Sequence, residues 1–273
     1  MAFKRLDPED FIVSSDSVTS TVWSNNSPSL NTYFSSSTQK EGTSGPYYLS
    51  VYQTASNSIS AAVQFQIAYA NKNGGGGVNF DSSVPFVSPT TTIYGQYRTL
   101  VLEDENAAFT WGPTYTGSAD NDFYVISIER ARYKQSLLPG SLNLILSSSN
   151  AAYDDIKLTD DSNMVALPTY YGTMRAYQLI SGSDGSSWDG GTGYTALSGS
   201  YGLVLPDIST ILLNSAALSG SGAGSGGINI GTDITADNFG DNPTKLYNAL
   251  TGSALYVPSG NVFELNSQET LTS

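Results

Sequence analysis

The sequence predicts a mainly β protein: an antiparallel β-sandwich-like core, one or two short helices, and long Gly/Ser-rich loops. Three observations lead there. Apolar residues alternate with polar ones over short runs, as in Val63-Gln-Phe-Gln-Ile-Ala-Tyr69, which is the period of a half-buried strand. The runs are punctuated by Gly, Pro, Asn and Ser, the residues of turns. Charged residues make up only 13% of the 273 residues, and small polar side chains replace them, while aromatics still reach 11%. Disorder normally combines low hydrophobicity with high charge, so this balance predicts a folded, loop-rich chain.

The elements follow in order. Residues 1–45 read as an N-terminal arm with brief strand candidates at Phe11-Ile-Val13 and Thr21-Val-Trp23. A β-rich core domain over 46–150 opens with two alternating segments, Tyr47–Gln53 and Ala62–Tyr69, joined through Asn57-Ser58 as a hairpin. In the second, Val63, Phe65, Ile67 and Tyr69 share one face and Gln64, Gln66 and Ala68 the other. Four consecutive glycines at 74–77 read as a mobile loop. A phosphate-binding loop would need Lys-Ser or Lys-Thr where Val78-Asn79 stand. Ser88-Pro89 is a helix start, an N-cap followed by a residue suited to the first turn. Ile93, Tyr94, Tyr97, Leu100 and Val101 then form one helical stripe, interrupted by Gly95. Phe123–Ile128 is a buried strand, Pro139-Gly140 a turn, and Leu142, Leu144 and Leu146 alternate into a returning strand.

From 151 to 273 the chain becomes a loop-rich second β region. Ile156-Lys-Leu158 reads as a short exposed strand with acidic flanks. Pro206 either splits Tyr201–Leu213 into two segments or marks an edge strand. Asn242-Pro243 caps a short helix from Thr244 to Leu250, ended by Gly252.

Composition narrows function. A formal net charge of -13 argues against nucleic acid and anionic membranes as partners. The absence of Cys and His removes thiolate sites, Cys nucleophiles, the commonest general base and the usual transition-metal ligand. No run of about 18 apolar residues is present to span a bilayer, and the first ten residues lack the apolar run of a signal peptide. The remaining chemistry is carboxylate chemistry. Asp154, Asp155, Asp160, Asp161, Asp184 and Asp189 could supply the paired acids of a polysaccharide hydrolase or, around Asp184–Asp189, oxygen ligands for calcium. Solvated loop acids explain them as well. Neither a catalytic residue nor a cofactor is expected. Trp188 and Tyr194 are candidates for a sugar-stacking platform.

The segment Ser88–Leu146 carries four of the 11 basic residues, Arg98, Arg130, Arg132 and Lys134. With Tyr97 and Tyr133 they form the candidate subunit interface, Tyr being enriched at such contacts. Pairing within the chain is the other reading of the same charges.

Several segments carry a resemblance: Lys4-Arg-Leu-Asp-Pro-Glu-Asp-Phe, Tyr48-Leu-Ser-Val-Tyr-Gln-Thr, Val63–Tyr69, Ile93-Tyr-Gly-Gln-Tyr-Arg-Thr-Leu-Val-Leu, Tyr124-Val-Ile-Ser-Ile-Glu-Arg-Ala-Arg-Tyr-Lys and Tyr201–Asn214. Together they resemble a family of virion structural proteins of large contractile-tailed phages of the T-even-like group, notably those infecting cyanobacteria. The resemblance implies a non-enzymatic tail component, in the baseplate or its wedges, synthesised in the host cytoplasm. It implies many copies in a symmetric assembly with other virion tail proteins. Host-adhesion, neck and capsid-decoration roles are its alternatives. Proteins of this kind continue beyond the position matching Ser273, so the resemblance also implies a C-terminal truncation.

Overall fold

The computed structural model describes residues 15–30, 33–36, 48–75, 88–112, 121–150, 152–187, 195–196, 198–220, 228–252 and 262–272. The mainly β prediction holds, with 40% strand against 19% helix among the described residues. The strands are β1 (Ser15–Thr21), β2 (Ser29–Leu30), β3 (Phe34–Ser36), β4 (Tyr48–Tyr52), β5 (Val63–Asn71), β6 (Asp122–Ile128), β7 (Ser136–Leu137) and β8 (Asn143–Leu146). They continue with β9 (Ile156–Asp160), β10 (Thr169–Tyr171), β11 (Met174–Ser183), β12 (Ser186–Ser187), β13 (Gly202–Leu205), β14 (Thr210–Asn214), β15 (Phe263–Glu264) and β16 (Asn266–Thr272). Helix α1 spans Pro89–Tyr97 and α2 spans Asn242–Thr251.

One large antiparallel sheet runs in the order β2-β15-β8-β9-β11-β13-β14-β6-β5-β4-β3, with β10 and β12 added alongside β11. The change of texture near residue 150 does not interrupt it, since β8 pairs with β9 and β6 with β14. The sheet is curled. Between β5 and β15 lie six strands, so in a flat sheet they would stand about 34 Å apart at the usual strand spacing. Their Phe65 and Phe263 rings are instead 5.4 Å apart, and Trp23 packs edge-on to both. The two layers of a sandwich are thus made by one sheet folding over itself.

Alternation along the central strands sorts side chains between two cores. Tyr124, Ile126, Ile211, Leu213 and Val204 point inside the curl, while Phe123, Val125, Leu212, Leu203 and Leu205 point outside. The outer face needs a cover, and α1 provides it: Tyr94 and Val101 are buried there with Phe109 and Trp111. The helix starts where the sequence predicts. The Ser88 side chain accepts the Thr91 N–H, and the Thr91 hydroxyl accepts the Ser88 N–H in return. The predicted stripe breaks at Leu100, which is 40% exposed, because a π-helical turn over Arg98–Leu102 rotates it outward. Helix α2 packs against β4, β5 and β8 and buries Leu246, Ala249 and Leu250 in the inner core. Gly252 ends it in the left-handed conformation.

Three expectations need correction, and one open alternative is resolved. The strand at Ile156–Asp160 is central, not exposed: Leu158 and Thr159 are fully buried between β8 and β11. At Pro206 the first alternative holds: it splits the run into β13 and β14 by opening the short 3₁₀ turn that joins them in mid-sheet, and it marks no edge strand. In the glycine run, Gly74 and Gly75 are buried. The Gly75 N–H donates to Ser88 and its carbonyl accepts from Thr90, and a Cβ there would lie 2.6 Å from the Ala236 carbonyl oxygen. Gly76 and Gly77 lie outside the described residues, as do Phe11–Val13, Trp188, Asp189 and Tyr194. Gln64, placed by alternation on a polar face, is fully buried, and its amide bonds the Ser24 hydroxyl, the Ser24 N–H and the Ala62 carbonyl.

A second, three-stranded sheet of order β1-β16-β7 is hydrogen-bonded separately from the first, and Leu137 of β7 is buried in the inner core. Its register brings positions near the two chain ends together, Ser15 opposite Thr272 and Thr21 opposite Asn266.

Candidate functional site

Strand β6 ends at Ile128, where the Ile128 N–H donates to the Ser209 carbonyl and the Glu129 N–H to the Gln64 carbonyl. The chain then turns through a 3₁₀ turn, Arg130–Arg132, and enters β7. A turn of this kind fans successive side chains around its axis, so Arg130, Arg132 and Lys134 do not share the single face that a continued strand would have given them. The Arg130 guanidinium lies 4.7 Å from the centroid of the Tyr133 ring and donates to the Tyr133 carbonyl. Tyr133 is half-buried against the inner core, which anchors the turn. The Arg132 Nε is buried without an acceptor, and Lys134 is exposed. Among the described residues none of these three cations makes an ion pair. The ion pairs are Arg175–Asp207 and Lys245–Asp233.

The cationic turn borders the three-stranded sheet. Immediately after Lys134, the Gln135 N–H donates to the Gln268 carbonyl, and the Gln135 side chain accepts from Thr270 N–H. On the far side of β16, β1 has all of Ser15–Thr19 exposed, and among the described residues its outer edge pairs with no strand. Such an edge presents a row of backbone donors and acceptors. Val18 and Leu271 are diagonal neighbours on one face of this ribbon, 44% and 50% exposed, flanked by Asp16 and Glu269.

A polar recess lies between the ribbon and the main sheet, lined by Gln135, Ser136, Arg175, Asp207, Gln268 and Thr270. Arg175 grips Asp207 through both its side chain and its backbone N–H. Burial works against the Asp207 charge, but the Arg175 contacts outweigh it and hold the carboxyl below its ordinary range. The same Arg175 reaches the Ser136 hydroxyl, tying β7 to the β13–β14 turn. Sequence reading missed this pair, because Arg175 and Asp207 carry no motif and meet only through the sheet.

The remaining interface candidates lie elsewhere. Tyr97 packs edge-on to Phe123 under α1, where burial pushes its hydroxyl pKa up. Arg98 lines a recess with Lys72 on the α1 side. The six residues therefore divide between the 130–134 turn and α1.

Of the described carboxylates proposed for hydrolysis, Asp155, Asp160, Asp161 and Asp184 act as hydrogen-bond acceptors, while Asp154 is exposed. Both Asp160 oxygens take the Gly140 N–H, and Asp155 takes the Ser148 N–H. Asp161 takes the Gln178 N–H, while Asp184 and Glu264 share the Asn143 amide. Burial, with help from the Asp160 charge, raises Asp161 to about 6. Among the described residues no three acids converge as a metal site would need, and no helix is long and apolar enough to cross a membrane.

Comparison with known proteins adds nothing to this geometry: no family model, no curated protein and no solved structure matches the chain.

Proposed function

We propose that this chain is a structural component of a bacteriophage virion, part of a contractile-tail baseplate, and that it works by docking to neighbouring tail proteins in a symmetric, multi-copy assembly. The observation that carries the docking part is the pairing of an open strand edge with unneutralised charge. In a chain of net charge -13, Arg130, Arg132 and Lys134 make no ion pair among the described residues, and they adjoin the β7 side of a ribbon whose opposite outer strand, β1, has an edge that no described strand pairs. An extended segment of a partner can add to such an edge through main-chain hydrogen bonds, while acidic residues on the partner fit the cationic turn and set register and on-rate. The phage and baseplate assignment rests on the sequence resemblance of the segments around Tyr48, Val63, Ile93, Tyr124 and Tyr201.

The test is a triple charge reversal, Arg130→Glu, Arg132→Glu and Lys134→Glu, in virion assembly. The turn is anchored by backbone hydrogen bonds and by Tyr133, so the isolated variant should keep its circular dichroism and melting temperature. Incorporation into particles should fall at least tenfold. Normal incorporation of a folded variant would remove this surface from the interface. Failure to find the chain in any tail particle would remove the baseplate assignment.

A further inference from the structure

Helix α1 contains a glycine that its own packing does not require. Gly95 sits in mid-helix, and a Cβ built there would meet nothing within 4 Å among the described residues. Glycine costs a helix interior stability relative to alanine, so an unobstructed position occupied by glycine calls for another reason. Gly95 floors a recess of about 280 Å³ lined by Lys72, Thr91, Thr92, Tyr94 and Arg98. Thr91, Gly95 and Arg98 follow one stripe of the helix, and Lys72 comes from the end of β5.

Both cations of this recess lack a carboxylate partner among the described residues. The Arg98 guanidinium lies 5.7 Å from the centroid of the buried Tyr94 ring, and its Nε is buried without an acceptor. The ring therefore supports the guanidinium without neutralising it. The helix N-terminus is not the attraction, because the Ser88–Thr91 capping box already engages it. Neither hydroxyl supplies a free donor: Thr91 and Thr92 both donate to the Ser88 carbonyl. What Thr92 offers inward is a lone pair, which suits a ligand with hydroxyl donors of its own. Guanidinium and ammonium suit an oxyanion. The volume lies just below the usual range for drug-sized ligands, as a single sugar unit requires.

We infer that the recess over Gly95 binds one anionic saccharide unit, its carboxylate or phosphate held by Lys72 and Arg98 and a hydroxyl donating to Thr92. The site is separate from the ribbon and does not depend on the docking reading.

Calorimetric titration of the full chain at low ionic strength tests it with glucuronate, glucose 6-phosphate, inorganic phosphate and glucose. Glucuronate or glucose 6-phosphate should bind at least tenfold more tightly than inorganic phosphate, and glucose should give no signal. The preferred one of the two identifies the acid group. Gly95→Leu should fill the recess and weaken binding at least tenfold, while its helix propensity keeps or raises the melting temperature. Lys72→Gln with Arg98→Gln should abolish binding. Equal binding of phosphate and the sugar acids would overturn the saccharide assignment. Binding of glucose, no binding of any probe at concentrations up to about 10 mM, or unchanged affinity in Gly95→Leu would overturn the site.

Discussion

The closure of the curled sheet rests on contacts between residues that the strand order keeps far apart, and it can be measured. Phe65 on β5 and Phe263 on β15 are both fully buried, with rings 5.4 Å apart at an interplanar angle of 69°. Trp23 sits 4.9 Å from Phe263 and completes the cluster. Replacing either phenylalanine with leucine keeps an apolar side chain, so each single variant should lose about 1–2 kcal/mol. Edge-to-face ring pairs contribute about 0.5–1.5 kcal/mol beyond the area they bury. The double variant should therefore depart from additivity by about that amount, in the sense that the second substitution costs less than the first. Urea unfolding followed by far-ultraviolet circular dichroism, with tryptophan fluorescence as a second probe, supplies the four free energies. Distant sites add within about 0.3–0.5 kcal/mol. Coupling inside that limit would mean that β5 and β15 do not meet, and the closed curl would be wrong.

Two further predictions concern positions inside the sheet. Gly202 lies at φ +153°, opposite Leu213 and Leu179, and a Cβ there would come within 1.9 Å of the Leu212 carbonyl oxygen. Gly202→Ala should therefore destabilise by about 3 kcal/mol or more in urea unfolding, and a loss under about 0.5 kcal/mol would refute that packing. Asp161 stands raised from 3.8 to about 6 by burial, so the folded chain holds this proton more tightly than the unfolded one. Its favourable contribution is complete below the unfolded value and is gone once the pH has risen past about 6. The group is part exposed, which screens the effect to about 1 kcal/mol. Asp161→Asn keeps the acceptor for the Gln178 N–H and should be the more stable form at pH ~7.5 but not at pH ~3.5. A stability difference that is flat with pH would count against the shift.

Local chemistry made some elements legible in the sequence. Ser88-Pro89 with Thr91, the alternation from Val63 to Tyr69, the run Phe123–Ile128 and the Gly252 stop each depend on residues within one element, and each appears in the structure. Alternation shows which residues share a face but not what covers that face. Strand β9 read as exposed because Lys157, Thr159 and Asp160 are polar. It is buried because turns distant in sequence satisfy those groups, Gly140 N–H on Asp160 and Gly185 N–H on Thr159. The β1–β16 ribbon was invisible for a related reason: Ser-Asp-Ser-Val-Thr-Ser-Thr is a strand only once its partner, about 250 residues away, is placed beside it. The candidate site was legible as charge alone. That Arg130, Arg132 and Lys134 have no ion pair among the described residues, and that Arg98 belongs with Lys72, depends on the fold.

The cations themselves follow a common arrangement. In a chain with 24 acidic residues, a basic side chain has many chances of neutralisation, and Arg175 and Lys245 take them. Arg98 and Arg130 are held instead by tyrosine rings, Tyr94 and Tyr133. The two supports differ in consequence. A carboxylate fixes a guanidinium and cancels its field, so an incoming anion meets a neutral pair and must break it to bind. A ring fixes the guanidinium from one face and leaves its charge and most of its N–H donors available. Pre-organised but unneutralised cations suit anion recognition, because their ordering cost is met before the ligand arrives. The turn beside the ribbon and the recess over Gly95 share this arrangement, although no residue belongs to both.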